Sequence, residues 1–278
     1  MPIDFSPFIH PLDKKTLDYL KSIPLLDTIL RKFMAAFDEN ILHGINMASM
    51  LKLSTTQMPK IYNLLLDICY SLEIPQPDLF LQMNPIPNAY TMGDTKPFIV
   101  INSGIVDLLE EEELKTVIAH ECGHILCQHV LYHSLAVHLF TLGSSYFNGL
   151  INSTLNYGLL YWKRCSEYSA DRVAACVMGT PDIVVNTMLR LAAGNSKLTQ
   201  EVNIDEFLQQ ARDYQQNMDE STFNKFLQVI AISSQTHPFA ARRALEIKEW
   251  YENVHNQLPS LRRRNFLHHI PIIKNLIK

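Results

Sequence analysis

The chain has 278 residues, a mass of 31.9 kDa and a formal net charge of −4, so it can bury a substantial core and has no global positive charge to hold a polynucleotide. No nucleic-acid partner is expected. Its cysteines, Cys69, Cys122, Cys127, Cys165 and Cys176, are odd in number and lack Cys-x-x-Cys spacing, which argues against a disulfide framework and for a soluble protein of the reducing cytoplasm. Met1-Pro2-Ile3-Asp4-Phe5 opens without a basic region ahead of a long apolar run, so export by a signal peptide is not expected.

Residues 13–72 read as mostly helical, with an amphipathic segment over 14–23, a longer one over 24–51 and a third after Ser54-Thr55-Thr56. Pro59 is tolerated only in the first turn of that third helix, which predicts a cap at Thr55 or Thr56. No Gly/Ser tract, repeat or low-complexity segment divides the chain. Residues 1–75 are expected to form an N-terminal helical region packed on residues 76–278, in one compact unit. Short strands follow at about 79–83, 89–92 and 98–101, with Gly93-Asp94-Thr95-Lys96 as a turn. Asn88 to Met92 reads as an edge strand whose unpaired backbone groups can receive a peptide, or as a loop between prolines and Gly93.

Glu110 to Glu113 places negative charge where a helix begins, ahead of an apolar stripe of Leu114, Val117, Ile118 and Ile125. This helix carries His120-Glu121-Cys122-Gly123-His124. At that spacing the two histidines lie about 40° apart in azimuth, so both imidazoles lean onto one face and can bind one metal ion. Glu121 stands roughly 100° away from His120, too far round to ligate, and its carboxylate can instead reach a water on the metal. The pattern points to a zinc hydrolase. Cys122 faces away as a small buried thiol, and Gly123 suggests that another backbone or a substrate comes close. If the helix simply continues, His129 and His133 face away from the metal, each about 180° round from its motif histidine.

From Ile125 to Trp162 no Asp, Glu, Lys or Arg occurs, although these make up 19% of the chain. Polar residues from His129 to Asn156 break the apolar runs below the roughly 18 residues of a membrane span. A buried helical hairpin is expected there, with membrane contact as the alternative. Next, Glu167 and Asp171 stand four apart on an Ala-rich helix that ends at Gly179. One carboxylate suits the metal, which needs a third protein ligand, and the other suits the free N–H of a ligand histidine. Ala170 and Ala174 share that face and permit close approach. Further helices are expected over 182–193, 204–217, 221–234 and 238–254. The basic and apolar stretch from Arg262 to Lys278 is expected to be a packed terminal segment, with an anionic membrane surface as its alternative contact.

Taken in order, Asn88-Ala89-Tyr90, His120-Glu121-x-x-His124, Arg164-x-x-Glu167-x-x-Ala170-Asp171 and His237-Pro238 followed by Arg243 resemble the gluzincin zinc metallopeptidases of the HtpX and CaaX-prenyl-endoprotease family, over roughly residues 60 to 250. The resemblance implies one catalytic zinc at His120, His124 and Glu167, with Glu121 as general base. It implies that Asn88, Ala89 and Tyr90 hold the substrate chain and that His237 lies near the reaction centre. Asp171 is expected to orient a ligand histidine, and Arg243 to make a structural ion pair.

The fold expected is α+β and mainly helical, zincin-like, with a small sheet beside the metal helix. The expected activity is zinc-dependent endopeptidase action on extended or unfolded polypeptide, by analogy in protein quality control or processing. The competing reading is a non-catalytic, membrane-associated scaffold with a structural zinc. Glu121 argues against it, because a structural site has no use for a base beside the metal.

Overall fold

The computed structural model describes residues 4–24, 39–142, 153–218, 237 and 239–254, together with Leu26, Thr28, Leu30 and Phe33. Helices dominate: α1 (Pro11–Lys21), α2 (Glu39–Ser49), α3 (Pro59–Leu72), α4 (Ser103–Leu108), α5 (Glu111–Leu126), α6 (Val130–Leu142), α7 (Ser153–Met178), α8 (Asp182–Ala193), α9 (Ser196–Thr199), α10 (Ile204–Met218) and α11 (Ala240–Val254). They accompany one sheet of β1 (Leu51–Lys52), β2 (Asp78–Gln82), β3 (Ala89–Met92) and β4 (Phe98–Asn102), in the order β1-β2-β4-β3. The α+β, mainly helical class is as expected.

β2 and β4 run parallel, while β1 and β3 are antiparallel to their neighbours. All five residues of β4 are buried, as suits a strand covered on both faces. β3 lies at the sheet edge with Ala89 opposite Ile101, and its side chains alternate. Ala89 and Thr91 are buried towards α5, whereas Tyr90 and Met92 pack on the other face with Phe80, Phe98 and Val100.

Helix α5 starts with a reciprocal capping box: Glu110 caps the backbone of Glu113, and the Glu113 carboxylate accepts the Glu110 N–H at 2.9 Å. It is buried almost all round, packed between β3, α3, α7 and α8. Gly123 makes its contact with α7 possible. A Cβ there would lie 3.0 Å from both Cα and O of Ala170 and 3.1 Å from the Val173 Cβ. The glycine thus marks the close backbone approach that its place in a helix suggested. Gly179, with φ 72°, ends α7. One core joins Leu65, Ile68, Ile99, Ile118, Val173 and Ala244, and so runs from α3 through the sheet to α11. A second core packs Leu135 and Ala136 of α6 against Leu155, Leu159 and Trp162 of α7, closed by Leu20 and Leu26.

Four details differ from the expectations. Helix α3 begins at Pro59, which is indeed in the first turn, but neither Thr55 nor Thr56 caps it. The Ser54 hydroxyl takes the N–H groups of Thr56 and Gln57, and Met58 enters the helix in a left-handed conformation, φ 54°. Leu51, read as the last residue of a long helix, forms β1 with Lys52, because backbone pairing with Phe80 and Leu81 outweighs its helical propensity. Phe239, expected inside the last helix, is left-handed at φ 64° and α11 starts after it. The motif helix does not run on through His129 and His133; α5 stops at Leu126 and α6 begins at Val130. The helix expected over 221–234 and the segment 262–278 lie outside the described residues. Among the described residues no helix is long and apolar enough to cross a membrane.

Candidate active site

The two motif histidines and the carboxylate of α7 meet. His120 Nε2 lies 3.2 Å from His124 Nε2 and 3.3 Å from Glu167 Oε2, and His124 Nε2 lies 3.5 Å from Glu167 Oε1. A tetrahedral zinc ion with bonds of about 2.0–2.1 Å sets its donors about 3.3–3.4 Å apart, close to the spacing of the two imidazole nitrogens from each other and from the Glu167 carboxylate oxygens. Glu167 Oε1 is buried without a hydrogen-bond partner, as an oxygen shaped for a cation would be. The donor set and its spacing fit zinc.

Charge around the centre supports the same fit. Burial opposes a proton on His120, but Asp171 and Glu167 outweigh it and push its pKa up to about 9. Burial pushes His124 down to about 4 against the pull of Glu167. For Glu167, too, burial works towards the neutral acid. The charges of His237 and Arg243 and the closeness of the two motif imidazoles prevail, and hold it well below the usual carboxylate range. The arrangement calls for a positive centre at the meeting point of the three donors.

Asp171 sits one turn beyond Glu167 and accepts His120 Nδ1–H at 2.9 Å. That bond fixes the tautomer that leaves Nε2 free for a metal. Arg243 of α11 holds Asp171 with two bonds, Nε to Oδ2 at 2.8 Å and Nη2 to Oδ1 at 2.6 Å, and places Nη1 3.1 Å from Glu167 Oε2. Against the cost of burial, Arg243 and then His120 keep the Asp171 carboxyl below its usual range. The ion pair expected of Arg243 is therefore at the site itself.

Glu121 is buried beside the two histidines. Its Oε2 accepts a hydrogen bond from Thr91 Oγ1 at 2.6 Å, while Oε1 has no hydrogen-bond partner and lies 3.5 Å from His237 Nε2. His237 comes from a segment distant in sequence: its Nδ1 is 2.7 Å from Glu167 Oε2 and its Nε2 donates to the Ala89 carbonyl at 2.9 Å. Asn88 gives its own carbonyl to Asn102 N–H inside the sheet, so Ala89 turns its backbone groups to the open edge. A cleft of about 470 Å³ opens along this edge and past His120 and Glu121 to Val184 and Met188. Asn88 and Ala89 line it; the Tyr90 side chain lies on the opposite face of the sheet.

Sequence reasoning did not find Thr91, although its place two residues from Ala89 on the buried face was the available signal. It also misplaced His129 and His133. Gln128 is left-handed at φ 61°, and the chain ends α5 with His129 N–H on the His124 carbonyl (2.9 Å) and Gln128 N–H on the Ile125 carbonyl (3.1 Å). This Schellman turn folds both imidazoles back under His124, with His129 Nδ1 3.0 Å from His124 Nδ1 and the His133 ring centre 4.5 Å from that of His124. The turn usually announces itself by glycine; here glutamine occupies the left-handed position and gives no such sign.

Two imidazoles and a carboxylate on one buried helix, a second carboxylate on the facing helix and an open strand edge alongside define a zincin-type metallopeptidase. The chain belongs to peptidase family M48, whose profile matches residues 56–251. It is 34% identical over 253 residues to plastoglobule-localized metallopeptidase 48, chloroplastic, of Arabidopsis thaliana, a match covering 89% of this chain and 73% of that protein. Protease HtpX homolog 2 of Methanosarcina acetivorans is 24% identical over 167 residues, which is 50% of this chain and 57% of the relative. Protease HtpX homolog of Levilactobacillus brevis is 30% identical over 94 residues, covering 33% of this chain and 31% of the relative. No solved structure matches the chain. The protein is a zinc-dependent metalloprotease, a hydrolase acting on polypeptide.

Proposed function

We propose that His120, His124 and Glu167 hold the zinc, that Glu121 is the general base, and that the substrate is an extended or unfolded polypeptide laid along β3. The observation that carries this reading is that His120 Nε2 and His124 Nε2 stand 3.2 Å apart, each 3.3 to 3.5 Å from one oxygen of the Glu167 carboxylate, with the Glu121 carboxylate next to them. Zinc, when bound, supplies a Lewis acid that makes water a stronger acid and polarises the scissile carbonyl. Glu121 accepts the proton lost by the attacking water and delivers it to the leaving amine nitrogen. Thr91 holds one Glu121 oxygen in place and leaves the other to the reaction. His237 stands between Glu121, Glu167 and the Ala89 carbonyl, where its Nε2–H, once released from that carbonyl, can serve the negative charge that develops on the substrate oxygen.

A substrate on the β3 edge must offer a free extended backbone, which folded domains seldom expose, so selectivity follows from conformation. This supports a role in protein quality control or processing. All five cysteines are free, in keeping with a reducing, cytoplasmic setting. The test compares cleavage of a permanently unfolded protein by the zinc-loaded chain and by Glu121→Gln. Turnover is expected to fall by about 10²–10⁴-fold with zinc still bound. Equal rates in the two, or no turnover despite one bound zinc, would refute the assignment.

A further inference from the structure

The surroundings of His124 hold a second set of buried polar groups that the reaction leaves unused. His129 Nδ1 lies 3.0 Å from His124 Nδ1, and His129 Nε2 lies 3.0 Å from Asp13 Oδ2 of α1. Asp13 also accepts Ser169 Oγ at 2.6 Å on the same oxygen and Trp162 Nε1 at 2.8 Å on the other. Asp13, His129, Ser169 and Trp162 are all at most 1% exposed. So many polar atoms removed from water need a common purpose.

We propose that Asp13 and His129 are positioning residues for His124: together they select its tautomer and hold its ring for the metal, as Asp171 and Arg243 do for His120. The proposal rests on the reading that His124 binds zinc through Nε2. An imidazole bound through Nε2 carries its proton on Nδ1, and that N–H can only donate. The atom facing it, His129 Nδ1, must then be bare and accept. His129 consequently carries its proton on Nε2, where Asp13, an acceptor, is waiting. Each bond in the chain from His124 to Asp13 thus fixes the direction of the next. Ser169 and Trp162 donate to Asp13 and hold its carboxylate in place.

Asp13 meets His129, Ser169 and Trp162, where Asp171 meets His120 and the Arg243 guanidinium. Asp13 precedes the stretch that matches family M48, which begins at residue 56. A helix outside that stretch therefore completes the metal centre, and zinc binding and the docking of α1 on α7 should be coupled.

The same imidazoles allow a rival arrangement, in which His124, His129 and His133 take a second ion. The experiment separates the two. Histidine-selective ¹⁵N NMR of the zinc-loaded, unaltered protein is expected to show His124 protonated at Nδ1 and His129 protonated at Nε2 alone, with one zinc per chain. In competition with a chromogenic chelator, His129→Phe and Asp13→Asn are expected to weaken zinc binding about 10–100-fold. Leu159→Ala, which opens a cavity in the second core, is expected to cost stability and leave zinc affinity at its original value. A proton on His129 Nδ1, a second zinc ion, or an affinity loss in Leu159→Ala equal to that in His129→Phe would overturn the proposal, and the NMR result stands even if the variants fail to fold. Failure to bind any zinc would instead bring down the site reading on which it rests.

Discussion

Gly123→Ala is the sharpest probe of how α5 and α7 make one site. The added methyl would sit 3.0 Å from the Ala170 Cα and carbonyl oxygen and 3.1 Å from the Val173 Cβ, where carbon atoms prefer about 3.5–4.0 Å. Two of these neighbours are main chain, so the helices must part by roughly half an ångström to one ångström. Glu167 lies one turn from Ala170, and its distances of 3.3 and 3.5 Å to the imidazole nitrogens would stretch with that movement, away from the spacing zinc requires. Alanine gains about 1 kcal/mol of helix propensity over glycine. Overpacking costs about 1–3 kcal/mol, so the net loss is about 0–2 kcal/mol. That corresponds to a melting point lower by up to about 8 °C for a chain of this size. Zinc affinity, which depends on sub-ångström placement, should fall at least tenfold. Thermal melts and chelator competition measure the two effects. A variant that melts higher and binds zinc as tightly as the original would show that this contact does not set the site.

Three further outcomes follow from the same geometry. Thr91→Val removes the 2.6 Å bond to Glu121; a hydrogen bond to a charged group contributes about 1.5–3 kcal/mol, so kcat should drop about 10–100-fold with KM little changed, and an unchanged kcat would deny Thr91 its place in the reaction. Arg243→Met strips Asp171 and Glu167 of their shared guanidinium; loss of about 3–5 kcal/mol in urea unfolding is expected, and a loss below about 1 kcal/mol would mean that neither carboxylate depends on it. The Glu246 carboxyl is held below its usual range, chiefly by the hydrogen bond from His10, with Arg172 adding to it. A depressed carboxyl stabilises the fold above its unfolded pKa of about 4.3, and that contribution disappears as pH falls through the lower folded value. The original chain should therefore lose stability faster than Glu246→Gln on acidification below about pH 4.5, which parallel acid titrations of unfolding would check. Coincident curves would contradict it.

What the sequence by itself determined here is local and periodic. Glu110 and Glu113 announced the helix start, and two pairs at i, i+4, His120 with His124 and Glu167 with Asp171, needed only helical geometry to share a face. Gly123 and Ala170 marked where two helices could touch, because a missing side chain leaves a mark in the sequence. β3 was legible as an extended edge segment, with a loop as its alternative. Other features arose only from tertiary contact. Lys52 became a strand residue because β2 offered it a partner, and His129 turned back under His124 because Gln128 adopted a conformation that its identity does not advertise. Asp13 and His129, 116 positions apart, share no periodicity that could reveal them. Spacing along one element encodes which side chains stand together on it, since backbone hydrogen bonds set that angle. Which elements then meet is decided by packing and buried charge across the whole fold, and those terms have no local signature.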